Sequence, residues 1–216
     1  SLVGSEMCIR DRIKNMMLGQ CLTVTASSNP TPGGGAIAAI TAASGVALVE
    51  MLAHLTIGKK GYEEVESTMQ DIVDRLPAMR ERFLALADKD AHVFDTFMAA
   101  LRLPKDSPDQ VAYRKEQLQV CYQEAAKVPF EIGCLAYSLF KDAEVVIREG
   151  NRNATTDGII GAINARAAVK AAFLNVKINL SGIKDPAFVK ELEDQMAAIE
   201  GSIDETEARL VSLGGY

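Results

Sequence analysis

The stretch AIAAITAASGVALV, Ala36 to Val49, limits what this chain can fold into more than any other segment. It carries no charge and no proline, and Ala, Gly, Ser or Thr fill most of its positions. Ala-rich sequence of this kind favours helix over strand. A helix with so little side-chain bulk buries itself only where neighbouring backbones approach closely, so it is expected at the centre of a helix bundle. Glu50 and His54 follow, and large apolar residues are too few to favour a bilayer. The expectation is a buried core helix reaching about Ile57, with no membrane partner.

The remaining sequence reads as helix almost throughout. Ile13 to Ser27 is expected as a first helix, although LTVTA within it has some strand character. GKKG, Gly58 to Gly61, punctuates the end of the core helix with two cations suited to the negative end of its dipole. A third helix is expected from about Tyr62 to Leu101, bent or broken near Pro77. Ser107, Pro108 and Gln110 form the cap, N1 and N3 of a capping box. The helix they open should reach about Glu149, kinked at Pro129. After the polar loop EGNRNATTDG, Thr155 or Thr156 is expected to cap a helix running to about Ile183, and Asp185-Pro186 opens the last one. The expected fold class is all-α, a single domain of five to six long packed helices, some kinked at Pro.

The 216 residues are enough for one sizeable core, with 48% hydrophobic and 24% charged residues. A net charge of -6 and the lack of a basic stripe argue against nucleic acid as a partner. Cys8, Cys21, Cys121 and Cys134 have neither zinc-pair nor CxxC spacing, and no secretory signal precedes them, so they read as reduced thiols in a cytoplasmic protein. The segment SLVGSEMCIRDR, residues 1–12, fits nothing that follows. It resembles translated adaptor sequence and is expected to be non-native or disordered, leaving 13–216 as the domain.

Two clusters of residues carry chemistry. The first is NPTPGGGA, Asn29 to Ala36. Gly33, Gly35 and Ala38 satisfy G-x-G-x-x-A, but prolines stand where a dinucleotide-binding strand should end. A phosphate loop needs GK[ST] after the glycines, which is missing. Two readings of the bare helix opening then stand side by side. In one, Thr31 caps, Pro32 or a glycine opens the first turn, and free N–H groups of Gly33, Gly34 and Gly35 face a ligand. In the other, a partner helix packs where side chains would clash.

The second cluster is GNRNATTDGIIGAINARAAVKAAFLNVKINL, Gly150 to Leu180. Asn153, Thr155, Thr156 and Asp157 meet at a loop-to-helix junction, and capping explains Asp157 equally well. Asn175 and Asn179 share a helix face at i, i+4. They either bond neighbouring backbone or hold a flat heterocycle. Glu50 with His54, and His92 with Asp95, lack a third ligand, so no metal site is expected. Asp90 and Asp95 read as the polar side of the amphipathic segment DAHVFDTFMAALRLPK, and Lys59, Lys60 and Lys105 as solvated surface.

The blocks ASSNPTPGGGAIAA, HLTIGKKGY, DAHVFDTFMAALRLPKD, AAKVPFEIG and GNRNATTDG…NVKINLSGIKD, in this order, resemble the folate-dependent cyclodeaminase/cyclohydrolase family over roughly residues 15 to 210. His54 and the second Thr of NATTD depart from that family's usual residues. The resemblance implies an all-α homodimer acting on a tetrahydrofolate derivative, free or polyglutamylated, with no cofactor beyond that substrate and no metal. The implied reaction is closure of 5-formimidoyltetrahydrofolate to 5,10-methenyltetrahydrofolate with loss of ammonia. Hydrolysis of the methenyl form to 10-formyltetrahydrofolate is the alternative, and a non-catalytic folate-binding protein the third reading. Both reactions need a group that takes and returns a proton, which a carboxylate supplies. On this reading Asp157 is the expected acid/base and Asp95 the second candidate. Asn153, Thr156, Asn175 and Asn179 bind the substrate, Gly33 to Gly35 admit it to the helix opening, and Lys59 and Lys60 meet its glutamate tail.

Overall fold

The computed structural model describes residues 13–216, and the segment 1–12 lies outside the described residues. Six α-helices follow one another: α1 Leu18–Thr25, α2 Gly34–His54, α3 Glu66–Leu101, α4 Pro108–Glu149, α5 Thr155–Leu180 and α6 Pro186–Leu213. Three short 3-10 turns, Ile13–Asn15, Glu63–Val65 and Arg152–Ala154, precede α1, α3 and α5. Among the described residues there is no strand, so the all-α class holds.

Local chemistry sets most boundaries. Ser107 accepts from the Gln110 N–H at 3.3 Å, and the Gln110 side chain accepts from the Asp106 N–H at 2.8 Å. Asp185 accepts from both Ala187 and Phe188 N–H, with Pro186 at the first helical position. Gly58 and Gly61 take positive φ, 70° and 93°, which closes α2 where GKKG suggested. The first helix is shorter than expected because Met17 is extended, with ψ 143°, and splits Ile13–Asn15 from α1. LTVTA stays helical, with the Thr23 and Thr25 hydroxyls donating to carbonyls one turn back. Both α3 and α4 run unbroken through Pro77 and Pro129.

Helix α2 lies at the centre, packed on α3, α4 and α5. Ala36, Ala39, Ala42, Val46, Val49, Leu52 and Ala53 have no exposed surface. The bare sequence is explained where α2 crosses α5. A Cβ on Gly45 would lie 2.8 Å from the Gly161 carbonyl, and one on Gly161 would lie 2.9 Å from the Gly45 carbonyl. Backbone meets backbone there, and neither residue tolerates a side chain without moving the helices. The pair is antiparallel: Gly34 faces Asn175 near the end of α5, while Leu55, just past α2, bonds Asn151 just before α5. On its other side α5 exposes an apolar stripe of Ile160, Ile163, Leu174 and Ile178.

Candidate functional site

The opening of α2 is built without side chains. Gly33 is the N-cap, extended at φ -101° and ψ -165°, and no side chain caps the helix. Thr31 therefore does not cap, contrary to the sequence reading; the cap position falls two residues later, where no hydroxyl exists. The first helical bond runs from the Ile37 N–H to the Gly33 carbonyl. That leaves the first-turn N–H groups of Gly34, Gly35 and Ala36 pointing outward.

Each glycine answers to a different neighbour. A Cβ on Gly33 would approach the Pro30 carbonyl at 3.2 Å, and one on Gly34 would approach the Asn175 amide at 3.4 Å. At Gly35 a Cβ would collide with the carboxylate of Asp90. The bare opening thus receives a carboxylate from α3 of the same chain. Asp90 lies mostly out of water. Burial pushes its carboxyl above the usual range, and the Ala36 N–H pulls it part of the way back. No Lys, Arg or His forms an ion pair with it among the described residues, unlike Glu50, which Arg80 approaches at 3.3 Å and His54 at 3.8 Å.

Asp90 opens into a cavity of about 310 Å³. One wall is the face of α3 that carries Asp90, Val93, Phe94 and Phe97, spaced i, i+3, i+4, i+7. Phe97 is held edge-on by Tyr122, with ring centroids 4.9 Å apart. Pro30, Thr31 and the three glycines form the second wall. Ala125 of α4 with Asn175 and Asn179 of α5 form the third.

The two amides settle an open question. Asn175 donates to the Ala171 carbonyl at 3.0 Å, and Asn179 donates to the carbonyls of Asn175 at 2.8 Å and Ala125 at 3.1 Å. Both N–H groups of Asn179 and one of Asn175 are spent on backbone. Among the described residues no donor reaches the oxygen of either amide, so both remain as acceptors at the cavity wall. Bonding to backbone is thus observed for both residues, and both also line the cavity.

The other expected site residues lie elsewhere. Asp95 is exposed and turned about 140° around α3 from Asp90. Asp157, in the first turn of α5, is 18 residues from Asn175, or about 27 Å along the helix. Asn153 and Thr156 are exposed beside Asp157, and Lys59 and Lys60 are exposed just beyond α2. Within one chain Asp157, Asn153, Thr156, Lys59 and Lys60 lie at the opposite end of the α2–α5 pair from the glycine cavity.

That far end is a closed network. Asn151 is buried, donates to the Leu55 carbonyl at 3.0 Å, and receives the Asn153 N–H at 3.0 Å. The Asn151 N–H donates to Thr56 at 2.9 Å, and Thr56 donates to the Leu52 carbonyl at 2.7 Å. The Arg152 N–H donates to the Tyr62 hydroxyl at 3.1 Å. Asn151 makes the turn into α5, so the expected caps Thr155 and Thr156 are not used as such; Thr155 donates back to Arg152 instead. Among the described residues no three His, Cys, Asp or Glu side chains converge as a metal site.

Sequence reasoning set Asp90, Phe94 and Phe97 aside. The signal for them was their i, i+4, i+7 register, which Asp95 breaks.

Comparison with known proteins places the chain. The sequence model of the formiminotransferase-cyclodeaminase family matches residues 17–198. The chain belongs to that family. Formiminotetrahydrofolate cyclodeaminase from Thermotoga maritima superposes with a TM-score of 0.84 at 31% identity, covering 93% of this chain and 96% of that one. Methenyltetrahydrofolate cyclohydrolase from Methylorubrum extorquens is 36% identical over 183 residues, which is 85% of this chain and 86% of that protein. Formimidoyltransferase-cyclodeaminase from Gallus gallus is 28% identical over 196 residues, and the chain spans only 36% of that longer protein.

Proposed function

We propose that this protein is a folate one-carbon enzyme that closes 5-formimidoyltetrahydrofolate to 5,10-methenyltetrahydrofolate and releases ammonia. The observation that carries the reading is Asp90: a water-shielded carboxyl without an ion partner, in an aromatic-walled cavity, in a chain of this family. N10 attacks the formimidoyl carbon and gives up its proton, a tetrahedral carbon forms between N5 and N10, and the amine leaves protonated. Asp90 as carboxylate accepts the N10 proton and as acid returns it to the leaving amine. Burial raises the Asp90 carboxyl, which makes it a better proton acceptor than an exposed carboxylate. As an anion Asp90 also stabilises the cationic amidinium. Phe94 and Phe97 offer faces for the pterin, and the oxygens of Asn175 and Asn179 accept from its N–H edges. The N10–C bond forms, the C–N bond to the leaving amine breaks, and no oxidation state changes, so the reading calls for no cofactor beyond the substrate.

Hydrolysis of 5,10-methenyltetrahydrofolate to 10-formyltetrahydrofolate is the second reading. The Methylorubrum extorquens cyclohydrolase, similar in length and 36% identical, favours it. Water then replaces N10 as nucleophile, and Asp90 keeps its role. Near-ultraviolet absorbance separates the readings. Growth of the methenyl band from formimidoyl substrate supports the first, and its accelerated loss supports the second. Binding without either change leaves the non-catalytic binder.

The reading includes a cytoplasmic homodimer. The stripe of Ile160, Ile163, Leu174 and Ile178 is the surface that a second copy would cover. Asp157, Thr156, Asn153, Lys59 and Lys60 reach a glycine cavity only from such a copy. In that arrangement the two lysines would meet the anionic glutamate tail, single or extended.

A further inference from the structure

The block AAKVPFEIG, residues 125–133, supplies no reactive side chain to the cavity, yet it governs one. In an α-helix the N–H of residue 129 would donate to the carbonyl of Ala125. Residue 129 is proline, so that donor does not exist, and the ring crowds the same carbonyl. The Ala125 oxygen is taken up by α5, where the Asn179 amide donates to it at 3.1 Å. The second N–H of that amide donates to the Asn175 carbonyl at 2.8 Å. Both amide protons are therefore fixed. Turning the amide over would press its oxygen against two carbonyl oxygens, so the oxygen is held away from both, at the cavity wall.

The other helix-interior proline shows that this pairing is not a general response. Pro77 frees the Val73 carbonyl in the same way, and among the described residues no side chain donates to it. Asn175 also lacks a tie to another helix, since its amide reaches only Ala171 in α5 itself.

We infer that Pro129 is a positioning residue for the substrate cavity: by leaving the Ala125 carbonyl free, it locks the Asn179 amide with its oxygen presented to the ligand. Pro129 touches no ligand and acts through Asn179. The proposal rests on the folate reading only for the choice of ligand, because the lock itself is a feature of the unliganded chain.

The test is a double-mutant cycle of Pro129→Ala and Asn179→Ala, assayed with 5-formimidoyltetrahydrofolate by growth of the near-ultraviolet methenyl band. P129A restores a helical N–H that competes for Ala125. Its KM should rise about five- to tenfold with kcat within about twofold. Its Tm should hold or rise, since Ala favours a helix interior over Pro. In the N179A background the same substitution should add nothing to KM. An unchanged KM in P129A overturns the proposal, as does an equal rise in the N179A background, which would mean that Pro129 acts by bending α4. A second measurement needs neither turnover nor a folded variant. In the wild-type chain the Asn179 side-chain NH2 protons should exchange slowly with solvent, and fast exchange would also overturn the lock. If no folate reacts or binds but these protons are protected, the functional reading fails and the lock stands.

Discussion

The two ends of the α2–α5 pair are both rich in Asn, Thr and Asp, but they use them in opposite ways. At the far end, Asn151, Thr56 and Tyr62 meet backbone N–H groups and carbonyls of two connecting segments. Donors and acceptors close on each other, which is how a buried turn avoids unpaired polar groups. At the glycine end, three of the four amide N–H groups of Asn175 and Asn179 bond backbone while no donor reaches their oxygens among the described residues, and one carboxyl is largely kept from water without a cation beside it. The first arrangement stabilises a crossing. The second, on the proposed reading, gives up stability for a site, as binding surfaces commonly do.

The largest effect that would sharpen this contrast is at Asp90. Asp90→Asn should lower kcat/KM by about a hundredfold or more. It should also raise Tm by about 2 °C, because the amide does not pay for burying a charge. Burial raises the folded carboxyl above its unfolded value, so the native state holds the proton more tightly. Its contribution to stability is fullest below the unfolded pKa and falls as pH rises through the window up to the folded one. The D90N chain should lose that decline in a pH series of thermal melts. Wild-type turnover in D90N would remove Asp90 from the reaction.

Asn151→Ala should do the reverse. Removing a buried hub should cost about 2 kcal/mol, read as a lower urea midpoint, while the folded fraction keeps its kcat. Loss of kcat with unchanged stability would mean that the far end is part of a site.

A smaller change is expected from Gly35→Ala, whose methyl group displaces the Asp90 carboxylate. We expect roughly tenfold lower kcat and a pH–rate profile shifted toward an ordinary carboxylate. An unmoved profile would show that Asp90 does not set it.

Asp157→Asn should have the smallest effect, within about threefold in rate, since the proposed proton transfers rest on Asp90 and Asp157 lies roughly 27 Å from Asn175 along α5 of its own chain. A large loss that is restored by mixing D157N with D90N protein would instead bring the two ends together across a dimer. Such mixing should return roughly a quarter of the wild-type rate.

Much of the fold was legible because its signals are local. Ser107-Pro108 and Asp185-Pro186 mark helix starts within four residues, and Gly58 and Gly61 mark an end by their φ. The central place of α2 was legible from its missing bulk. The site was legible only by halves. Gly33 to Gly35, Asn175 and Asn179 do line one cavity, but nothing local says which end of an antiparallel helix pair a residue occupies. Asp157 and Lys59 were therefore grouped with residues at the other end. Asp90 was passed over because an acid on an amphipathic helix usually faces solvent. Only the glycine opposite it, 55 residues earlier, shows that this one does not.

The crossing of Gly45 and Gly161 has a consequence for how variants of this protein should be interpreted. With carbonyls packed where side chains would be, the crossing acts as a fulcrum for two stiff rods. Gly45 is 11 residues from Gly34, about 16 Å along α2. A single methyl wedged at Gly45 would tilt the rods and be magnified at both tips, moving Gly34 off Asn175 and Leu55 off Asn151. A substitution there would present as a binding defect and a folding defect at once, although it touches neither network.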